Sequence, residues 1–111
     1  MYAINEIDSR ELNAWREDEK PLWLVDVRTP GEIMQGIIAG GRPLPLNRLP
    51  GQLDELPKDI PVVLYCRTGA RSGQATAFMM ARGFEQVYNL RGGIMDWARQ
   101  GLPIEAPDFS L

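Results

Sequence analysis

The sequence predicts an α/β fold, a small, mostly parallel sheet flanked by helices on both faces. Three observations carry this expectation. Short apolar runs at 22–27, 61–65 and 87–90 alternate with stretches of helical period. The runs are close to continuously apolar rather than alternating, as in strands covered on both sides, and in β/α order such strands run parallel. With 111 residues, 44% of them apolar, and no repeat or linker composition, residues 1–111 are expected to form a single domain around one core.

The elements follow in order. Asp8 and Glu11 form a capping box that opens a helix over 9–17, with Leu12 and Trp15 on its inner face. Glu17-Asp18-Glu19 and Pro21 end it. The run 22–27 is apolar except for Asp26 and reads as a buried strand. Thr29-Pro30 supplies an N-cap and a first helical residue for a short helix through Ile33 and Met34. Residues 36–50 are rich in Gly and Pro, with a short strand expected near Leu44 and one more short helix over 50–56. After the turn Pro57-Lys58-Asp59, the strand 61–65 runs directly into Cys66. A helix is predicted over 72–82, carried by Ala75, Phe78, Met79 and Arg82 and stopped by Gly83. A strand over 87–90 and a helix over 94–100, closed by Gly101 and Pro103, complete the pattern. The tail 105–111 is expected to be frayed.

Cys66 is the only cysteine of the chain, and it opens the loop Cys66-Arg67-Thr68-Gly69-Ala70-Arg71-Ser72. A loop that leads from a strand into a helix gathers unpaired N–H groups and the positive end of the helix dipole, so it favours an anion. The same field favours thiolate over thiol. In open parallel sheets ligands bind at the carboxyl ends of the strands, where Cys66 lies. A lone cysteine can equally be inert core, but its place before a glycine-containing loop and a helix start favours a nucleophile. Gly69 reads as a backbone requirement, either positive φ or close approach of a ligand. Arg67 is a candidate anion contact, whereas Arg71 is divided between substrate contact and locking the loop through backbone carbonyls. Asp26 and Arg28 flank a buried strand end and read as structural, in an ion pair with Glu32 or a neighbour, and Gly92-Gly93 as a tight turn packed on the loop. Trp15, Trp23, Trp97 and the Met79-Met80 pair read as core.

Composition excludes much. There is no histidine, so Cys–His dyads, Ser–His–Asp triads and histidine metal sites are ruled out, and one cysteine cannot form an internal disulfide or a Cys-x-x-Cys pair. No cofactor and no metal are expected. The net charge of -3 argues against nucleic-acid and membrane partners. Residues 61–91 carry four arginines against one acid, a local +3 in a chain whose remainder carries -6, which suits a small anion. With no basic, apolar leader and no run of about 20 apolar residues, a soluble, cytoplasmic protein is expected.

The ordered motifs resemble the rhodanese family of sulfurtransferases. They are Leu24-Val25-Asp26-Val27-Arg28 with Glu32, Leu44-Pro45-Leu46, Val62-Val63-Leu64-Tyr65-Cys66, the loop through Ser72, Gly83-Phe84, and Leu90-Arg91-Gly92-Gly93 leading to Trp97. The likeness covers about residues 4–103 and implies a rhodanese-like α/β fold. It further implies that Cys66 carries sulfane sulfur as a persulfide, that the amides of residues 67–72 cradle it, and that Arg67 and Arg71 help set the charge preference for substrate. The chain departs from the family at Gly36-Ile37-Ile38-Ala39-Gly40-Gly41, where many members have Gly-His-Ile-Pro-Gly-Ala, and this is expected to alter how that loop docks.

Three function classes follow. The first is a sulfurtransferase that takes sulfur from thiosulfate or a similar small anionic donor and gives it to cyanide or a thiol, including a thiol on a protein. The second is a non-catalytic persulfide carrier or interaction module. The third is a phosphatase or arsenate reductase of related fold, but those enzymes use Cys-x5-Arg to fit a tetrahedral phosphate. Here four residues separate Cys66 from Arg71, which disfavours the third class.

Overall fold

The computed structural model describes residues 3–107. The elements run β1 (Glu6–Ile7), α1 (Ser9–Glu17), β2 (Trp23–Asp26), α2 (Pro30–Ile33), β3 (Ile37–Ile38), β4 (Arg42–Pro43), a 3-10 segment (Leu49–Glu55), β5 (Val62–Tyr65), α3 (Ala70–Ala81), β6 (Val87–Leu90), α4 (Gly93–Arg99) and β7 (Ile104–Glu105). Five strands form one sheet in the order β1-β6-β5-β2-β4, and every pairing in it is parallel. The all-parallel sheet follows from the βα alternation, because each helix carries the chain back across a face before the next strand.

Side chains alternate across the sheet. On one face Val25, Val62, Leu64 and Val87 meet Ala75 and Met79 of α3 and Leu49 of the 3-10 segment. On the other Leu24, Val63, Tyr65 and Leu90 meet Leu12 of α1 and Trp97 of α4. All four residues of β5 are buried, which explains its unbroken apolar run. Each such Val or Leu stabilises the fold by about 1.5–3 kcal/mol relative to an exposed position. Of the three tryptophans Trp97 is fully buried, while Trp15 and Trp23 are partly buried and pack on the two core clusters.

The capping box at Asp8/Glu11 and the N-cap at Thr29 form as expected, and Glu32 completes a second capping box with Thr29 that was not foreseen. Several boundaries differ from the sequence expectation. The helix after the cysteine loop starts at Ala70 rather than Ser72, because Gly69 takes a left-handed conformation (φ 108°) and caps it. The strand expected near Leu44 is Arg42–Pro43, and the Leu44 amide continues its ladder by donating to the Asp26 carbonyl at 2.8 Å. The helix expected over 50–56 is a 3-10 segment kinked at Gln52.

The tail expectation fails at Glu105. Ile104 and Glu105 pair antiparallel with Ile38 and Ile37, and the Glu105 carboxylate accepts from the Gly40 amide at 2.9 Å. Residues 106 and 107 have no regular secondary structure, and 108–111 lie outside the described residues. The segment that departs from the family pattern is thereby docked on β7, with Ile37 and Ile38 buried. Among the described residues no helix is long and apolar enough to cross a membrane.

Asp26 and Arg28 have the expected structural role at the carboxyl end of β2, but they pair with each other, and the Glu32 carboxylate pairs with Arg71 instead. Arg28 Nη2 lies 2.7 Å from Asp26 Oδ2 and 2.6 Å from the Gly36 carbonyl oxygen, and Arg28 Nε reaches Asp26 Oδ1 at 3.0 Å. The pair ties β2 to the loop after α2. Both groups are buried, so removing either would leave a charge without its partner, at a cost of about 3–5 kcal/mol.

Candidate active site

Cys66 follows the last residue of β5, and the chain then turns through residues 67–69 into α3. Only 1% of Cys66 is exposed, so burial alone would fit an inert core thiol. Its partners distinguish it from one. The Gly69 amide donates to Cys66 Sγ at 3.1 Å and the Ser72 amide at 3.5 Å, with Ser72 Oγ 3.4 Å away. These are donors at the first turn of a 12-residue helix, where backbone N–H groups have no partner inside the helix.

The electrostatics favour an anionic sulfur. Burial pushes the thiol up, but hydrogen bonds at Ser72 (hydroxyl and amide) and from the Gly69 and Thr68 amides outweigh it, and the net shift is downward. A lowered pKa makes more thiolate available at neutral pH.

The loop is held from beneath. Ile94 N and Met95 N, in the first turn of α4, donate to the Cys66 and Arg67 carbonyls at 3.0 and 3.1 Å. This contact requires Gly93, since a Cβ there would sit 2.5 Å from both of those carbonyl oxygens. The Gly92-Gly93 turn thus packs on the loop as the sequence suggested.

The expected substrate-binding residues separate into different roles. Gly69 and Ser72 donate to the sulfur. Thr68 and Ala70 contribute backbone, and their side chains are exposed. Arg67 is also exposed, and among the described residues it has no carboxylate partner. Arg71 does not lock the loop through backbone carbonyls. Its guanidinium makes a two-pronged pair with Glu32, Nη1–Oε1 at 2.7 Å and Nη2–Oε2 at 2.8 Å. The Arg71 hydrogen bonds, helped by Thr29, hold the Glu32 carboxyl at about 2, so it is ionised throughout the neutral range. Arg71 is therefore largely neutralised, and Arg67 is the cation of the loop that has no carboxylate partner among the described residues.

Sequence reasoning missed Asn89 and the Glu32 partner of Arg71. Asn89 is buried in β6 beside the loop, its Oδ1 2.6 Å from Ser72 Oγ. The available signal was a polar amide side chain near the carboxyl end of a strand otherwise made of Val, Tyr and Leu, the same kind of signal that Asp26 gave in β2. Beside the loop lies a cleft of about 300 Å³, lined by Arg67, Glu32, Gln35, Ile94, Met95 and Ile104 among others. Among the described residues no cluster of His, Cys, Asp or Glu is placed to hold a metal ion.

The rhodanese-like domain family matches residues 8–100. A protein named sulfurtransferase from Allochromatium vinosum is 52% identical over 105 residues, covering 95% of this chain and 98% of its own length. The crystal structure of a rhodanese-like domain protein from Staphylococcus aureus superposes with a TM-score of 0.84 at 28% identity, over 95% of this chain and all of that one. A protein of unknown function from Rhodopseudomonas palustris, described as a possible tyrosine phosphatase, also gives 0.84 at 28% identity, over 92% and 85% of the two chains.

Proposed function

The chain belongs to the rhodanese-like domain family, and from that premise we propose that it transfers sulfane sulfur through a persulfide on Cys66. The donor is thiosulfate or a related small anion, and the acceptor is cyanide or a thiol. The observation that carries this proposal is the ring of donors on one sulfur, from Gly69, Ser72 and Thr68, with a net lowering of its pKa. In the forward step the Cys66 thiolate attacks the outer sulfur of thiosulfate. A new S–S bond forms, and sulfite leaves with the electron pair of the old one. Cyanide then attacks the outer sulfur of the persulfide and departs as thiocyanate, which returns the thiolate. The amides aimed at Sγ are placed to stabilise the anion at both ends of the cycle. With Cys66 so covered, small donors fit better than bulky ones.

Mass spectrometry after incubation with thiosulfate tests the proposal. One added sulfur on the Cys66 peptide, discharged by cyanide as thiocyanate over many turnovers, is the expected result. Persulfide loading without turnover would favour a carrier fed by a protein partner, and no loading would exclude thiosulfate as donor.

Arg67 is the residue proposed to recruit the donor, because its charge is unpaired and sits at the mouth of the loop. Arg67→Ala is expected to raise KM for thiosulfate several-fold with little change in kcat, and added salt should weaken the wild type more than the variant. An equal loss with an uncharged sulfane-sulfur donor, such as a dialkyl trisulfide, would remove this role.

A further inference from the structure

The hydroxyl of Ser72 lies between two acceptors and has one proton to give. Its Oγ is 2.6 Å from Asn89 Oδ1 and 3.4 Å from Cys66 Sγ. The orientation of the Asn89 amide is fixed by its other end. Nδ2 lies 2.9 Å from Glu6 Oε2 and 3.1 Å from the Gly69 carbonyl oxygen, groups that only accept. A flipped amide would set its oxygen against both, so Oδ1 must face Ser72 and accept from it. With its proton on Asn89, Ser72 Oγ turns a lone pair toward the sulfur. That arrangement suits a thiol, whose S–H donates to Oγ, and it opposes a thiolate.

We propose that Ser72 is a donor that follows the charge on Cys66, and that Asn89 is the positioning residue that makes this possible. When Sγ is protonated, or bonded to a second sulfur, the hydroxyl donates to Asn89 Oδ1. When Sγ is a thiolate, the hydroxyl rotates and donates to it. The thiol proton leaves to solvent and the hydroxyl keeps its own, so only a hydrogen bond moves. In a buried site the alternative acceptor matters, because a buried hydroxyl with no partner is destabilising. Asn89 gives Ser72 an acceptor in the state where the sulfur no longer needs a donor. It also competes with the thiolate for the proton, which keeps the sulfur from being held so tightly that its nucleophilicity falls.

The charged groups around Cys66 are Arg71 with Glu32, Arg28 with Asp26, the exposed Arg67, and Glu6 beyond Asn89. All of them remain in the variants that test the proposal. Removing the Asn89 amide does not orphan the Gly69 carbonyl, which still accepts from the Gly73 amide at 2.9 Å.

The proposal presupposes a reacting thiolate on Cys66 but no particular sulfur donor. The pH dependence of alkylation by iodoacetamide reads that thiolate directly, so its outcome is separate from the identity of the donor. Asn89→Leu frees the hydroxyl for the sulfur and is expected to lower the thiolate pKa by about one unit, the worth of one hydrogen bond to a charged group. In a Ser72→Ala background the same substitution should leave the pKa unchanged. A merely structural role for Asn89 would shift the pKa equally in both backgrounds and overturn the proposal, as would no shift in either. If Asn89→Leu does not fold, NMR on the wild type decides. The Asn89 side-chain amide resonances should titrate with Cys66 in the wild type and much less in Ser72→Ala, and identical titration in the two would overturn the proposal.

Discussion

Cys66→Ser is expected to reduce sulfur transfer to background while leaving the fold intact. Serine keeps the shape of the side chain, and its oxygen can accept from the Gly69 and Ser72 amides that now meet the sulfur, so the buried position remains satisfied. The chemistry fails for a different reason. A thiol becomes an anion near neutral pH when amides surround it, whereas a hydroxyl needs an adjacent base to become nucleophilic. The chain has no histidine, and the carboxylates of Glu32 and Asp26 are committed, to Arg71 and Arg28. Serine also has no sulfur with which to form a persulfide. Thiocyanate production from thiosulfate and cyanide, beside circular dichroism and thermal unfolding, checks both halves. Turnover near the wild-type rate would place the sulfur carrier elsewhere, and a chain with one cysteine offers no other thiol.

The fold was legible where the local signal was strong. Buried parallel strands such as β5 announce themselves as continuous apolar runs, and Asp8/Glu11 and Thr29-Pro30 mark helix starts by their capping chemistry. Elements of two residues carry no periodicity. Glu6–Ile7 and Ile104–Glu105 are strands only because the edge of β6 and the Ile37–Ile38 segment present backbone groups to them. The position of the cysteine loop was readable because strand, cysteine, glycine and helix are contiguous in sequence. Its supports were not, because they arrive from far along the chain. Glu32 comes from α2 to hold Arg71, Asn89 from β6 to hold Ser72, and the amides after Gly93 from α4 to hold the loop backbone. Sequence spacing shows which groups leave the same loop. It does not show which side chains arrive there from other strands, and for that reason Arg71 could not be assigned to a carboxylate in advance.

Those supports make the length of the loop a sharp test. One glycine inserted between Gly69 and Ala70 is expected to lower kcat/KM for thiosulfate by at least about a hundredfold, since catalytic donors displaced by roughly an ångström lose most of their effect. The loop cannot absorb the extra residue by sliding. At its start the Cys66 and Arg67 carbonyls are held by the first turn of α4, with no space at Gly93 for even a methyl group. At its end Arg71 is anchored on Glu32. The insertion must therefore bulge outward between these anchors. The Gly69 amide, now 3.1 Å from the sulfur, would move away from it while the Ser72 donors remained. A wider ring approaches the size that admits a tetrahedral phosphate ester, so a parallel assay with an aryl phosphate shows whether ring size alone admits that chemistry. Activity on the ester is not required for this test, because among the described residues no group hydrogen-bonded to Cys66 is a general acid for the leaving oxygen. Unchanged thiosulfate turnover in a folded insertion variant would show that ring size does not set the chemistry, and the case against a phosphatase from four-residue spacing would fall with it.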